Sequence, residues 1–349
     1  MLGEVTSLKI SRSASGMGTS GISISSLTFS AEGTIFENKQ RAPYVAVAAV
    51  DREGNILQLP QYWVDKRSVR NGIITFTCYD TLAFADSLYF TEDDFDGTTL
   101  SALGEIDTMA VLGVIQGKMQ IGNPLTVDSG GMAYSCRFDA AALIGQTVSS
   151  VLQTIAECAC GYWCIDNSNT LKLIRYDGYN CDGYVITDDY TAPDIGETMD
   201  IEGIDATLES SRRYSYRQDV GGAGYIISIN TNGTLTAKNI DSLGETVCGE
   251  DKYTYWNVEK AFVDHVPDLG SKFSYYGDKN LIINSVSAEI DCTGITCSLA
   301  ANEVSGGEIG QSMGEITRKL ENALQSGEVC NNVLITKYQG IQFIEEEDE

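Results

Sequence analysis

Two long stretches of this chain alternate apolar and polar residues with a period of two, and they bracket a segment that does not. That alternation is the signature of half-buried strands. It runs over residues 8–79 and returns over residues 201–304. In "GISISSLTFS", Ile22 and Ile24 are in phase, as are Leu27 and Phe29, but the two sets are out of step at Ser25-Ser26. A one-residue slip reverses the face, which predicts a bulge there. "GIITFTCYD" puts Ile74, Phe76 and Cys78 on one face, and Asp80 is placed to cap a short helix through Leu82 and Phe84. In the second stretch "YIISINTNGTLTAKNI" predicts a hairpin about Asn232-Gly233, with further turns at Gly277-Asp278 and at 291–294. Asn232-Gly233-Thr234 also fits a glycosylation sequon, and the turn is the favoured reading.

The middle segment changes period. Val148, Val151, Leu152 and Ile155 lie at helical spacing, Thr147 can cap them, and Gly161 is expected to stop the helix in the left-handed conformation. "YWCI" and "TLKLI", joined by "DNSN" at 166–169, form a hairpin, so a helix packs on a two-stranded ribbon. Upstream, "FTEDDFDGTTL" resembles a calcium loop only in part. With Gly97 at the sixth position, Asp94 and Asp96 fall on ligand positions, but Leu103 occupies the place of the bidentate Glu. A solvated acidic loop, with a helix starting near Thr98 or Thr99, is the expectation.

Near the far end, "SMGEITRKLENALQSG" is a second helix of this kind. Ser312 and Glu315 make a capping box, Glu315 can pair with Lys319, and Gly327 follows as a stop. Its apolar stripe, Met313, Ile316, Leu320, Ala323 and Leu324, packs on the chain's own body or on a partner subunit; the linker-like "EVSGGEIGQ" before it allows the second. "NVLITKYQGIQFI" reads as strand and "EEEDE" at 345–349 as a solvated acidic run.

Chemistry has few places to sit. His265 is the one histidine, and no nucleophile elbow, zinc-protease motif or P-loop accompanies it. Cys158, Cys160 and Cys164 have spacings C-x-C and C-x3-C, unlike the paired C-x2-4-C of structural zinc or the C-x-x-C of redox proteins. Cys158 and Cys160, two apart near a helix end, point about 200° away from each other. They are expected as small buried apolar groups, with no metal and no cofactor. Ten irregularly spaced cysteines and an opening without a secretory pattern predict folding in a reducing cytosol. The longest apolar run found, "YVAVAAV" at 44–50, falls short of the roughly 20 residues that span a bilayer, which predicts a soluble chain with no membrane insertion. Net charge is −26, from 49 acidic and 23 basic residues, which opposes binding to nucleic-acid phosphates.

In this order, the segments resemble the tail (baseplate) hub proteins of bacteriophages and of related contractile injection systems and phage-tail-like bacteriocins. Three places carry the likeness: "GIITFTCYDTLAFAD" at 72–86, preceded by "LPQYWVD"; "QTVSSVLQTIAECACGYWCIDNSNTLKLIRY" at 146–176; and "VPDLGSKFSYYGDKNLIINSVSAEID" at 266–291. "LSALGEIDTMAVLGVIQGKMQIGNPLTVDSGGMAYSCRFD" at 100–139 has no counterpart.

The resemblance implies a β-rich α+β fold with two β-barrel-like hub domains, residues 1–92 and 201–305. A mixed α/β insertion at 93–200 lies between them, and 306–349 holds linker, helix and acidic tail. It implies a non-enzymatic homotrimer, a pseudo-sixfold ring joining the tail tube to the spike or tip, with the tape-measure protein a further possible neighbour. Such a ring sits in a virion tail or injection-particle baseplate and is assembled in the bacterial host cytoplasm. Its lumen passes DNA or an ejected protein, and an acidic lining would keep phosphates moving. On this view Met313, Ile316, Leu320 and Leu324 are candidates for a subunit interface. The competing expectations are a receptor- or carbohydrate-binding tail protein of distal-tail type, which needs exposed clusters among the 18 tyrosines, and a hydrolase, which needs two facing carboxylates in a cleft.

Overall fold

The computed structural model describes residues 5–14, 21–32, 49–50, 56–57, 59–94, 104–121, 124–130, 132, 136–178, 181, 183–185, 187, 189–208, 212–230, 235–275, 279–291, 294–301, 333–336 and 340–343. The elements that matter for the argument are, in order, β1 (Val5–Ser13), β2 (Gly21–Ile22), β3 (Ser26–Glu32), β4 (Tyr62–Arg70), β5 (Ile73–Asp80), α1 (Thr108–Lys118), β6 (Thr126–Asp128), α2 (Val148–Ala159), β7 (Gly161–Ile165) and β8 (Thr170–Arg175). Then follow β9 (Asp194–Thr207), β10 (Arg213–Arg217), β11 (Tyr225–Asn230), α3 (Ala237–Val247), β12 (Gly249–Val263), β13 (Ser285–Asp291) and β14 (Gly294–Ala301).

The two alternating stretches meet in one 11-stranded sheet, ordered β10-β9-β12-β14-β13-β1-β3-β5-β4, with the strand Asp189–Tyr190 and β11 attached beside that path. Its seam is the antiparallel pair β1–β13, which sets Leu8 against Ile290, Ile10 against Ala288 and Arg12 against Val286. Rows of side chains cross the seam on the buried face. One row is Cys78, Leu27, Ile10, Ala288 and Cys297; another is Phe76, Phe29, Leu8, Ile290 and Ile295. Phe29 and Phe76 stack with ring centroids 4.7 Å apart. The opposite face carries Lys9, Ser11, Thr28, Ser30, Thr75, Thr77, Ser287 and Ser298, the polar half of the same period. The path ends at β4 and β10, so among the described strands the sheet is open and no barrel closes.

A second sheet is built on the helix-hairpin unit. The hairpin β7–β8 is flanked by β2, parallel to β7, and β6, parallel to β8. α2 buries Val148, Val151, Leu152 and Ile155, each large apolar side chain contributing roughly 1.5–3 kcal/mol. Thr147 Oγ1 accepts from Ser150 N at 3.0 Å, the expected cap. The other end differs from expectation. Cys160, at φ +50°, is the left-handed residue, while Gly161 is already in the strand. Gly161 is required for another reason: a Cβ there would sit 2.2 Å from the Ile174 carbonyl oxygen.

Two further expectations are corrected. The slip at Ser25-Ser26 is not a bulge: β2 belongs to the small sheet and β3 to the large one, so the chain changes sheets between them. Ser23 N donates to Trp163 O at 2.7 Å on one side of this crossing, and Ser25 N to Asp80 Oδ2 at 2.7 Å on the other. The hairpin proposed from "YIISINTNGTLTAKNI" is also not formed. β11 pairs parallel with β9, and "AKNIDSLGETV" is α3, capped by Thr236 and Asn239 and burying Ile240, Leu243 and Val247. The i, i+3, i+7 set Ile240, Leu243, Val247 is a helical signal that directly follows a β-branched run. Residues 231–234, the turn at 277–278, the loop of Gly97 with the helix start at Thr98 or Thr99, and the tail helix with Met313, Ile316, Leu320 and Leu324 lie outside the described residues.

Residues 104–143 contain a small two-part device. The strands Glu105–Asp107 and Arg137–Asp139 pair antiparallel, and each runs directly into a helix, α1 or the short Ala140–Leu143. Asp107 accepts from Ala110 N at 2.9 Å and Asp139 from Ala141 N at 3.0 Å, so the same strand-Asp-helix joint is used twice. Asp80 uses it a third time, accepting from Leu82 N at 3.0 Å at the start of the expected short helix, here a 3-10 helix over Thr81–Ser87.

Candidate functional site

Two features stand out: a buried polar node at the centre and the exposed edges of the large sheet. The node grows from Arg12 on β1, whose side chain is almost wholly buried. Its Nη1 donates to Asp268 Oδ1 at 2.8 Å and to Pro267 O at 3.2 Å, and its Nη2 to Asn167 Oδ1 at 2.6 Å. Asn167 N donates to the same Asp268 oxygen at 2.9 Å, and Asn167 Nδ2 to Val266 O at 2.7 Å. One guanidinium therefore ties together β1, the turn of the β7–β8 hairpin and the loop after β12. Further along, Tyr62 Oη and Ser25 Oγ share a hydrogen bond of 2.6 Å, and Ser25 N leads on to Asp80.

Burial sets the electrostatics here. It would lower the Arg12 pKa, but Tyr62 and Asp268 beside it outweigh that and hold it raised. Burial raises Asp268, against the pull of Arg12. It pushes the Asp80 carboxyl up to about 7, although Ser25 N and Leu82 N both donate to the charged form. A second buried cation, Arg175, binds Asp177 through Nε at 3.1 Å and through Nη2, and reaches Thr246 Oγ1 on α3 at 3.1 Å. Tyr162 Oη donates to Asn284 Oδ1 at 2.9 Å, while Trp163 Nε1 donates back to Leu152 O at 3.0 Å. Such contacts fix the helix-hairpin unit against both β-regions, and the groups that make them are turned inward.

Cys158, Cys160 and Cys164 are buried, and burial pushes the Cys160 and Cys164 thiols far above the ordinary thiol range. A reactive cysteine needs the opposite shift. Among the described residues, no group of three metal-capable side chains converges. His265 is exposed in the bend after β12. No described helix is long and apolar enough to cross a membrane.

The outer edge of β4 is different in character. Every residue from 65 to 73 is exposed, including Lys66, Arg67 and Arg70, with Val69 at 68% and Ile73 at 40%. β4 and β5 are joined by Asn71 and Gly72, both at positive φ, the two-residue turn that matches strand twist. At the other edge, β10 presents Arg213 and Arg217, preceded by exposed Arg212. Arg217 Nη2 donates to Asp205 Oδ1 at 2.7 Å. Sequence reasoning missed both edges, because basic residues stood out only once the sheet order identified the outermost strands.

Among the described residues the fold is thus a large, open and mostly antiparallel sheet with an α/β unit keyed into it by buried charge. No protein-family model matches the chain, and no curated protein matches it. Solved structures that are similar to it include prophage tail proteins and a component of a type VI secretion system. The 43 kDa tail protein of prophage MuSo2 from Shewanella oneidensis is 13% identical, over 85% of this chain and 94% of its own, with a TM-score of 0.49. A prophage tail protein from Listeria monocytogenes is 11% identical, over 92% and 93%, with a TM-score of 0.49. An Escherichia coli component of the type VI secretion system is 7% identical, over 88% and 75%, with a TM-score of 0.46.

Proposed function

We propose that the chain is a structural hub of a phage tail or related injection apparatus. Three copies close into a ring that joins the tail tube to the spike or tip, with a lumen for DNA or ejected protein. The observation that carries this reading is the β1–β13 seam, which makes one open sheet from both β-regions and leaves β4 and β10 as its edges. Open edges invite pairing, and head-to-tail repetition about a closed axis is the arrangement that occupies both at once. On this reading residues 1–92 and 201–305 are the two barrel-like units that each copy gives to a pseudo-sixfold ring. Residues 93–200 are the insertion keyed between them, and 306–349 supply the interface helix. The hydroxyl-rich face of the sheet is then the lumen wall. On that face Lys9 and Glu289 pair with each other at 3.3 Å, and Lys66, Arg70 and Asp291 share its rows, so the wall carries mixed charge among its hydroxyls. Light scattering on the purified full chain tests the proposal. A mass three times the 37.8 kDa of one chain supports it, and a stable monomer overturns it.

A further inference from the structure

Both edges of the large sheet are basic on a chain whose net charge is −26. Lys66, Arg67 and Arg70 stand on the exposed end of β4, where Lys66 also pairs with Asp65 at 3.7 Å; Arg212, Arg213 and Arg217 lie on or beside β10, where Arg217 pairs with Asp205, so each edge keeps a cationic excess. If these edges met directly in a ring, like charges would face each other at every junction, which opposes contact. An acidic segment would remove that opposition, and the chain has a dense one, "EEEDE" at 345–349, directly after Phe343 and Ile344. This pattern, two large apolar residues followed by five acids, complements the β4 end, where Val69 and Ile73 lie exposed among three cations. With no described strand on its far side, β4 also offers main-chain hydrogen bonds to an extended peptide.

We infer that the β4–β5 hairpin end is a docking site for an acidic peptide, and that its occupant is the 343–349 segment of a second copy of this chain. The inference rests on the ring reading, which supplies the second copy. Docking would place five carboxylates between two cationic edges and cover Val69 and Ile73. Because the contact is largely charge on charge at an exposed site, it weakens as salt rises.

Charge reversal tests it on the full chain. Lys66→Glu, Arg67→Glu and Arg70→Glu together give one variant; Glu345→Lys, Glu346→Lys, Glu347→Lys, Asp348→Lys and Glu349→Lys give the other. Analytical ultracentrifugation is expected to show roughly tenfold or more weaker self-association for each. Mixing the two restores association, because the acidic run of one then meets the basic hairpin of the other. Unchanged association in either variant overturns the inference while leaving the ring reading in place. Two weakened variants that fail to rescue each other overturn the second copy as occupant. A monomeric wild type fails the ring reading itself and this inference with it. Binding of a short DNA duplex that the hairpin variant loses, with self-association unaltered, assigns the hairpin to nucleic acid and also overturns it. Matching thermal melts of both variants exclude misfolding as the cause.

Discussion

Arg12 Nη1 and Asp268 Oδ1 lie 2.8 Å apart, on elements separated by 256 residues of sequence that meet beneath the hairpin turn at Asn167. The pair joins the first β-region to the second through buried charge, and the same guanidinium holds the inserted unit. Removing the cation leaves the Asp268 carboxylate and the Asn167 amide oxygen without it. Arg12→Met is therefore expected to cost on the order of 3 kcal/mol in denaturant unfolding, the low end for a broken buried pair, because Asp268 keeps a third of its side chain in solvent. A loss below about 1 kcal/mol would mean that the node is not what couples the regions.

Asp80 supplies a pH dependence. Its folded-state pKa, about 7, stands above the ordinary 3.8, so the folded chain binds the extra proton. Its stabilisation is full below 3.8 and is lost as pH rises through about 7. Stability of the wild type should therefore carry a falling component of up to about 1.4 kcal/mol per pH unit between these values. In Asp80→Asn that component vanishes. Urea unfolding at a series of pH values checks it, and parallel wild-type and variant curves would refute it.

At the end of α2, two adjacent substitutions separate conformational strain from close approach. Cys160 holds the positive φ, so Cys160→Gly relieves roughly 1 kcal/mol of backbone strain while giving up a small buried side chain, and stays within about 1 kcal/mol of wild type. Gly161→Ala meets the Ile174 and Arg175 backbone and is expected to cost about 2 kcal/mol or more. Thermal melts of the two variants decide it, and the reverse ranking would return the left-handed role to Gly161.

The tail helix pattern is tested by Ile316→Asp with Leu320→Asp. Loss of the assembled species by light scattering, with an unchanged far-ultraviolet spectrum of the β-regions, is the expected result. Retained assembly removes the stripe from the interface.

Much of the local structure was legible because the relevant forces are local. Thr147 and Asp80 cap the elements they were expected to cap, and the β7–β8 hairpin turns at Asp166, whose Oδ1 accepts from Ser168 N and Thr170 N at 2.9 Å each. The misread places are those where one pattern serves two ends. "AKNIDSLGETV" carries few strong helix formers, and its register becomes decisive only when Ile240, Leu243 and Val247 find the sheet they cover. The phase slip at Ser25-Ser26 is the same signal for a bulge and for a change of sheet.

By itself the sequence determined the alternating face of strands such as Ile73–Asp80, the helix Val148–Ala159 with the hairpin after it, and the caps at Thr147 and Asp80, since period and capping act over a few residues. Only the tertiary structure decided that Leu8 pairs with Ile290, that the two β-regions are one sheet, and that Lys66 and Arg217 belong to its opposite edges. An alternating strand fits any alternating partner. The choice among partners is made by burying whole rows of side chains and by the charges, Arg12 above all, that are tolerated in the interior only where Asp268, Asn167 and Tyr62 converge.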